Sequence, residues 1–443
     1  MAGAMGQRLA ELIAEYEVPG SALAYWHQGE LHEFAAGTLN ADTGVEATTD
    51  ALYQIGSVTK VWTATLIMQQ VEQGRLTLDT PVIEVLPEFK VADPEVTANV
   101  TIRHLLSHTS GIDGDQFIDT GRGDDCVEKY VAACATLAQN HPLGVTQSYC
   151  NSGFVIAGRV LERLTGKRWD DVLREGICEP LGLTHTWTLP EDVLRFRAAM
   201  GHEDGRTAPV WGLMRSMGPA GMICARPADV VAFGRAHLEG AHPEGGGLLE
   251  NPAAMWEPQV DIPDPYTLGK QWGIGWIIDE WNGHKVISHA GNTIGQHAVL
   301  WAVPDTGTVV CVTANGGRSG EFTRAVATEL FAELDGLTVP PAPSLPETPA
   351  DVDVAPYAGV YERAGARITV SVLDDGKARL RLETTGELAA LKEPEEADFV
   401  PVDENLFLFR LPGTRDWMAA VFFELADGTR YVHMGARATP KVG

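Results

Sequence analysis

Ser57-Val58-Thr59-Lys60 sets a hydroxyl and an amine three residues apart, so on a helix they share a face and reach each other. A serine needs a base to become a nucleophile, and a lysine kept neutral by burial and neighbouring donors can be that base. At a helix start, backbone N–H groups also aim at negative charge developing on a bound acyl group. An N-capping serine followed by a surface lysine gives the same pattern. Gly56 before it and Val61, Leu66 and Met68 after it argue for burial instead.

Two other runs carry chemistry. Tyr149-Cys150-Asn151 follows the Pro142-Leu143-Gly144 turn and precedes a helical pattern, which predicts a loop. A tyrosine beside a serine and a lysine can pass a proton to a leaving group, and Asn151 can bind a substrate amide or steady the lysine. His289-Ala290-Gly291-Asn292 closes a predicted strand at Lys285–His289. Gly291 lets a substrate backbone lie against the strand edge, the N–H of Asn292 with that of Ser57 forms a candidate oxyanion hole, and His289 is expected to offer a donor to a substrate carbonyl or carboxylate. His104 and His108 have metal-like spacing, but no third ligand is evident and both read as structural, so neither metal nor cofactor is expected.

These groups need a scaffold, and 443 residues predict one large domain with a smaller one. Hydrophobic residues at 44% are enough for a globular core, and no apolar run approaches the ~18 residues of a membrane span. Thirty-three Lys and Arg face 60 Asp and Glu, a net charge of −27 that repels phosphate backbones and anionic lipids. Nucleic acid and membrane partners are therefore not expected, and an anionic substrate needs a local cation. Six scattered cysteines without C-x-x-C pairs read as buried thiols in a reducing compartment. Residues 1–8 lack the basic head and apolar core of a secretory signal, so a cytoplasmic location is expected. The sequence sets no oligomeric state.

Periodicity predicts a helix at 7–16, a hairpin of Ser21–Trp26 and Leu31–Ala36 turning at Gln28-Gly29, and a helix from Ser57 to Gln73. A largely helical stretch spans roughly 80–240, with helices at Gly153–Leu164 and Pro227–Glu239. Strands follow at Trp272–Ile278, Lys285–His289, Ala298–Val303 and Val309–Asn315, then a helix at Glu321–Leu334. Pro340, Pro341, Pro343, Pro346 and Pro349 mark a linker. Beyond it, Ile368–Leu373, Ala378–Glu383, Leu406–Arg410, Ala419–Leu425 and Tyr431–Gly435 predict a small antiparallel barrel or sandwich. The expected division is residues 1–337, a linker at 338–355, and 356–443.

S-x-x-K, Y-x-N and H-x-G in this order resemble the serine β-lactamase and penicillin-binding-protein superfamily, across about residues 10–335. Tyr53-Gln54-Ile55-Gly56, Leu105-Leu106-Ser107-His108-Thr109-Ser110-Gly111 and Pro180-Leu181-Gly182-Leu183 look like its class C, D-alanyl-D-alanine carboxypeptidase and esterase branch. The resemblance implies an α/β (α+β) fold: an antiparallel sheet flanked by helices, an all-helical subdomain, and a lipocalin-like C-terminal barrel. It implies Ser57 as nucleophile, Lys60 and Tyr149 as the proton-transfer pair, and Asn151, His289 and Gly291 as substrate contacts. His289-Ala290-Gly291 stands where β-lactamases have K-T-G, which argues against efficient β-lactam hydrolysis.

Without a signal, the expected donor is an intracellular ester, thioester or amide, small or peptidyl, free or on a carrier protein. The chain resembles penicillin-binding-protein-type thioesterases and transacylases that pass the acyl group to an amine, including nonribosomal peptide cyclases. In those enzymes the second domain covers the site, which makes Arg437 a candidate carboxylate contact. The alternatives are a serine hydrolase (esterase, D-aminopeptidase, carboxypeptidase or weak β-lactamase) and an inactive binding module.

Overall fold

The computed structural model describes residues 2–239, 247–348, 350–385, 393–412 and 414–443, so Pro349 of the predicted linker lies outside the described residues. Among these, nine strands form one antiparallel sheet. Its order is Val45–Glu46, Glu30–Asn40, Gly20–His27, Thr308–Ala314, His297–Val303, His284–Asn292, Ile277–Trp281, Gln271–Trp272 and Val260–Asp261. The central strands alternate between two cores. Leu23, Tyr25, Val310 and Val312 pack under the terminal helices Ala2–Glu15 and Ser319–Leu334. Ala24, Val309, Cys311 and Leu300 face Val61 of the helix Thr59–Glu72 and Val230 and Phe233 of the helix Pro227–Glu239. Burial on both faces makes these strands continuously apolar rather than alternating.

Three expectations need correction. Trp272–Ile278 is two strands, because Gly273 N–H closes a turn onto Trp276 O at 2.8 Å and Gly275, at φ +79°, packs on the backbone of Lys60 and Val61. The strand carrying His289 runs on to Asn292, so His289-Ala290-Gly291-Asn292 lies within it. The middle region is not all helical: Cys224–Ala225 and Thr186–Trp187 form a small sheet with the earlier Tyr53–Gln54, and His202–Glu203 pairs with Arg206–Thr207.

Among the described residues, the C-terminal part is an eight-stranded antiparallel meander from Gly359–Arg363 to Arg437–Pro440. Val360 N–H reaches Gly443 O at 2.8 Å and Tyr361 bridges Lys441, which brings the first and last strands together into a nearly closed barrel. The expected Tyr431–Gly435 strand is a hairpin, Arg430–Met434 and Arg437–Pro440, turning at Gly435-Ala436. Phe399, Phe407, Phe409 and Phe422 fill the interior, as eight strands leave room for little besides side chains. The barrel's contribution therefore lies on its outside. No described helix is long and apolar enough to cross a membrane.

Candidate active site

Ser57 sits on a tight turn, Gly56–Val58, that runs into the helix Thr59–Glu72. Gly56 takes φ +51°, and a Cβ on it would fall 2.7 Å from Asn292 N, so the serine's turn lies directly against the His289–Asn292 strand end. One residue into the helix, Lys60 turns inward: its Nζ lies 2.9 Å from Ser57 Oγ and donates to Ala220 O at 2.7 Å. Lys60 is fully buried. Burial, then the charge of Arg437, holds its amine well below the usual lysine value, while Cys150 and Asp115 pull the other way. An ammonium in such a place is costly, so the neutral amine, a base, is favoured.

Tyr149 completes the trio. Its ring centroid lies 4.9 Å from Lys60 Nζ and its hydroxyl hydrogen-bonds Ser57. Burial raises the phenol above its ordinary value, opposed by the Ser57 hydrogen bond and by Arg437. Asn151 opens the helix Asn151–Thr165, capped by Cys150, whose Sγ accepts Gly153 N–H at 3.3 Å. Burial pushes the Cys150 thiol up to about 12, leaving it protonated and unreactive. Ser57, Tyr149, Asn151, His289, Asn292 and Arg437 all line one cavity of about 370 Å³. No group of three or more possible metal ligands occurs among the described residues.

At the strand end, Thr293 N–H donates to Gln296 O at 3.0 Å, in register with the Asn292–His297 pair. Antiparallel ladders alternate, so Asn292 N–H points off the neighbouring strand, toward the Ser57 turn. Two amides thus converge where an acyl oxygen on Ser57 would carry charge. Asn292's side chain turns away to His297 at 2.7 Å. Gly291 lies beneath: a Cβ there would sit 2.0 Å from Ile55 O.

His289 departs from expectation. Its Nδ1 donates to Ala290 O at 2.6 Å, since a carbonyl can only accept, which leaves Nε2 with the lone pair. Nε2 is buried without a partner, and burial, then Lys60, push the imidazole down to about 3. His289 is thus a neutral ring with no free donor for a substrate oxygen. The anionic-substrate donor in reach is Arg437, whose guanidinium lies 5.4 Å from the Tyr149 ring centroid. Its Nη2 binds Asp115 at 2.7 Å, and Arg363 binds the other Asp115 oxygen. Burial opposes ionisation of Asp115 most strongly, but the two arginines outweigh it and hold the carboxyl below its usual value. Asp113 lies in the same cluster, within the field of Asp115 and Arg363, and its Oδ2 accepts Ala364 N–H at 3.1 Å, so Arg437 reaches the cavity from a cluster of two arginines and two aspartates.

Sequence reasoning missed Asp115, Arg363 and the Ala220 carbonyl. Asp113-Gly114-Asp115, one residue beyond the S-H-T-S-G run, was the available signal for the first; the others are brought in by tertiary packing alone.

Comparison with known proteins shows the family. The family model described as Beta-lactamase matches residues 5–333. Penicillin-binding protein 4 of Amycolatopsis lactamdurans is 46% identical over 81% of this chain and 97% of its own length. Unguisins hydrolase ungD′ of Aspergillus campestris is 24% identical over 86% of this chain and 79% of its own. The crystal structure of SurE superposes with a TM-score of 0.80 at 26% identity, covering 100% of this chain and 99% of SurE. The chain belongs to the β-lactamase and penicillin-binding-protein superfamily of serine hydrolases and acyltransferases.

Proposed function

We propose that this chain transfers an acyl group from an ester, thioester or amide to an amine, as a transacylase or peptide cyclase. Ser57 Oγ attacks the acyl carbonyl while its proton passes to Lys60 Nζ, and the oxyanion is met by the N–H groups of Ser57 and Asn292. The leaving group departs with a proton delivered through Lys60 and Tyr149. The acceptor amine then attacks the acyl-Ser57 ester, gives its proton to the same pair, and Ser57 Oγ recovers it. Asn151 contacts the donor, and Arg437 takes a carboxylate on donor or acceptor. On this reading the donor is intracellular, peptidyl or small, and free or carried by a partner protein.

The observation that carries aminolysis over hydrolysis is the barrel hairpin. Gly435, Ala436 and Arg437 form a wall of the cavity beside Ser57 and Tyr149, which limits water around an acyl-serine. The hydrolase reading is favoured by the partial exposure of Ser57 and by the relative named as a hydrolase. A peptidyl thioester analogue with a free N-terminal amine separates the two. Expected is a Ser57-dependent cyclic product one water lighter than the linear acid; linear acid alone selects hydrolysis. A fluorophosphonate that adds no mass to the native chain, with Ser57→Ala as blank, would select the inactive module.

A further inference from the structure

The hairpin does more than border the cavity. Gly435 and Ala436 take φ +57° and +68°, a two-residue turn in which an alanine holds a left-handed conformation that L side chains rarely adopt. The carbonyl of that alanine accepts the N–H of Tyr149 at 2.9 Å. On either side, Ala438 N–H donates to Ser148 Oγ at 3.2 Å, and fully buried His433 meets Gln147 Oε1 through Nε2 at 2.9 Å. Three consecutive residues ending in the tyrosine are therefore held by the barrel.

The opposite side of the segment is held by His108, itself at φ +58°. Its carbonyl accepts Ser148 N–H and its Nδ1 accepts Cys150 N–H, both at 2.9 Å. Downstream, Asn151 enters a helix and is fixed. Upstream, the backbone amide of Tyr149 itself has the barrel as its partner. Walling the cavity limits water, but it does not require a bond to the main chain of the residue that meets Ser57; the hairpin makes both contacts.

We propose that the tip of this hairpin is a positioning element for Tyr149, with Ala436 holding the tyrosine's backbone amide and His433 and Ala438 holding the side chains of the two residues before it, so that its hydroxyl reaches Ser57. The inference rests on Tyr149 belonging to the proton-transfer pair, and it predicts that the barrel acts on acylation itself, before any choice between water and amine. Displacement of a reacting group by about 1 Å costs up to ~100-fold in rate, so partial loosening should cost about tenfold.

The test uses the full chain with Ser148→Ala and His433→Leu, each alone and combined with Tyr149→Phe. Ser57 acylation is followed by the burst with p-nitrophenyl acetate, which is uncharged and needs no carboxylate contact. Expected is about a tenfold loss of acylation rate with KM changed less than twofold, and no further loss in the Tyr149→Phe background. Parent rates in both single variants, or the same loss with and without the tyrosine hydroxyl, would overturn the positioning role. A parent rate for Tyr149→Phe alone would instead remove the reading of Tyr149 on which it rests. Ser148→Ala leaves the barrel core untouched and carries the test should His433→Leu fail to fold.

Discussion

Replacing Gly291 by alanine tests whether the serine's turn and the His289–Asn292 strand form one unit. Gly291 needs no left-handed conformation; its requirement is space. An added Cβ would fall 2.0 Å from Ile55 O, 2.6 Å from Ser57 N and 2.9 Å from Gly56 C, all backbone atoms. Ordinary carbon contacts begin near about 3.5 Å, so strand and turn must part by roughly 1 Å or more. Neither side yields easily: the strand is paired residue for residue with His297–Val303, and Val58 N–H is bonded to Ile55 O at 3.2 Å. The shift opens the gap between the Ser57 and Asn292 amides, and loss of one oxyanion donor costs about 10²–10³ in rate, or ~3–4 kcal/mol. The overpacking itself costs about 1–3 kcal/mol of stability. The assay pairs burst acylation by a p-nitrophenyl ester with thermal unfolding, and Gly320→Ala serves as control because nothing lies within 4 Å of a Cβ there. A Gly291→Ala chain that melts a few degrees lower yet acylates at the parent rate would refute the shared-amide geometry.

Two further outcomes follow from charge. Arg437 destabilises the Lys60 ammonium, second only to burial, so Arg437→Met should raise the lysine pKa. The neutral amine exists above that pKa, so the acidic limb of kcat/KM should move to higher pH, and Arg437→Lys should largely restore it; an unmoved limb would contradict the coupling. Burial depresses the imidazoles of His141, His237 and His297 to about 4, and those of His289 and His433 to about 3. The unfolded chain then binds protons that the folded chain refuses, so stability falls as pH drops below the ordinary histidine value of about 6.5, by up to ~1.4 kcal/mol per histidine per pH unit. The melting midpoint should drop by about 5 °C or more between pH 7 and pH 5, whereas a midpoint constant over that range would show that these rings take up protons without unfolding.

How much of this was legible in the sequence depended on whether a residue's partners were local. Ser57 and Lys60 stand three apart, and helix geometry alone brings them together. The Gln28-Gly29 hairpin and the terminal helix patterns were equally local, and the strands Gly20–His27 and Glu30–Asn40 turn there as expected. The Trp272–Ile278 run misled because its break comes from Gly275 packing on the Lys60 helix, a contact that strand periodicity does not encode. Barrel strands Gly359–Arg363, Glu395–Pro401 and Arg437–Pro440 escaped notice because their polar and charged residues mask an alternation whose inward members, such as Tyr361 and Phe399, become apolar core on closure.

His289 shows the deeper limit. Its residue type was readable, but a carbonyl one residue away fixes which nitrogen carries the proton, and thereby turns an expected donor into a ring with only a lone pair to offer. The positive charge expected of that strand in a K-T-G relative enters here from the barrel, on Arg437, whose side chain is held by an aspartate 322 positions earlier in the chain. A cation carried by the barrel acts on the site only while the barrel is docked, which ties substrate recognition, the basicity of Lys60 and the placement of Tyr149 to the same hairpin. Loosening that hairpin should therefore alter all three together, whereas a change within the His289–Asn292 strand should spare the carboxylate contact.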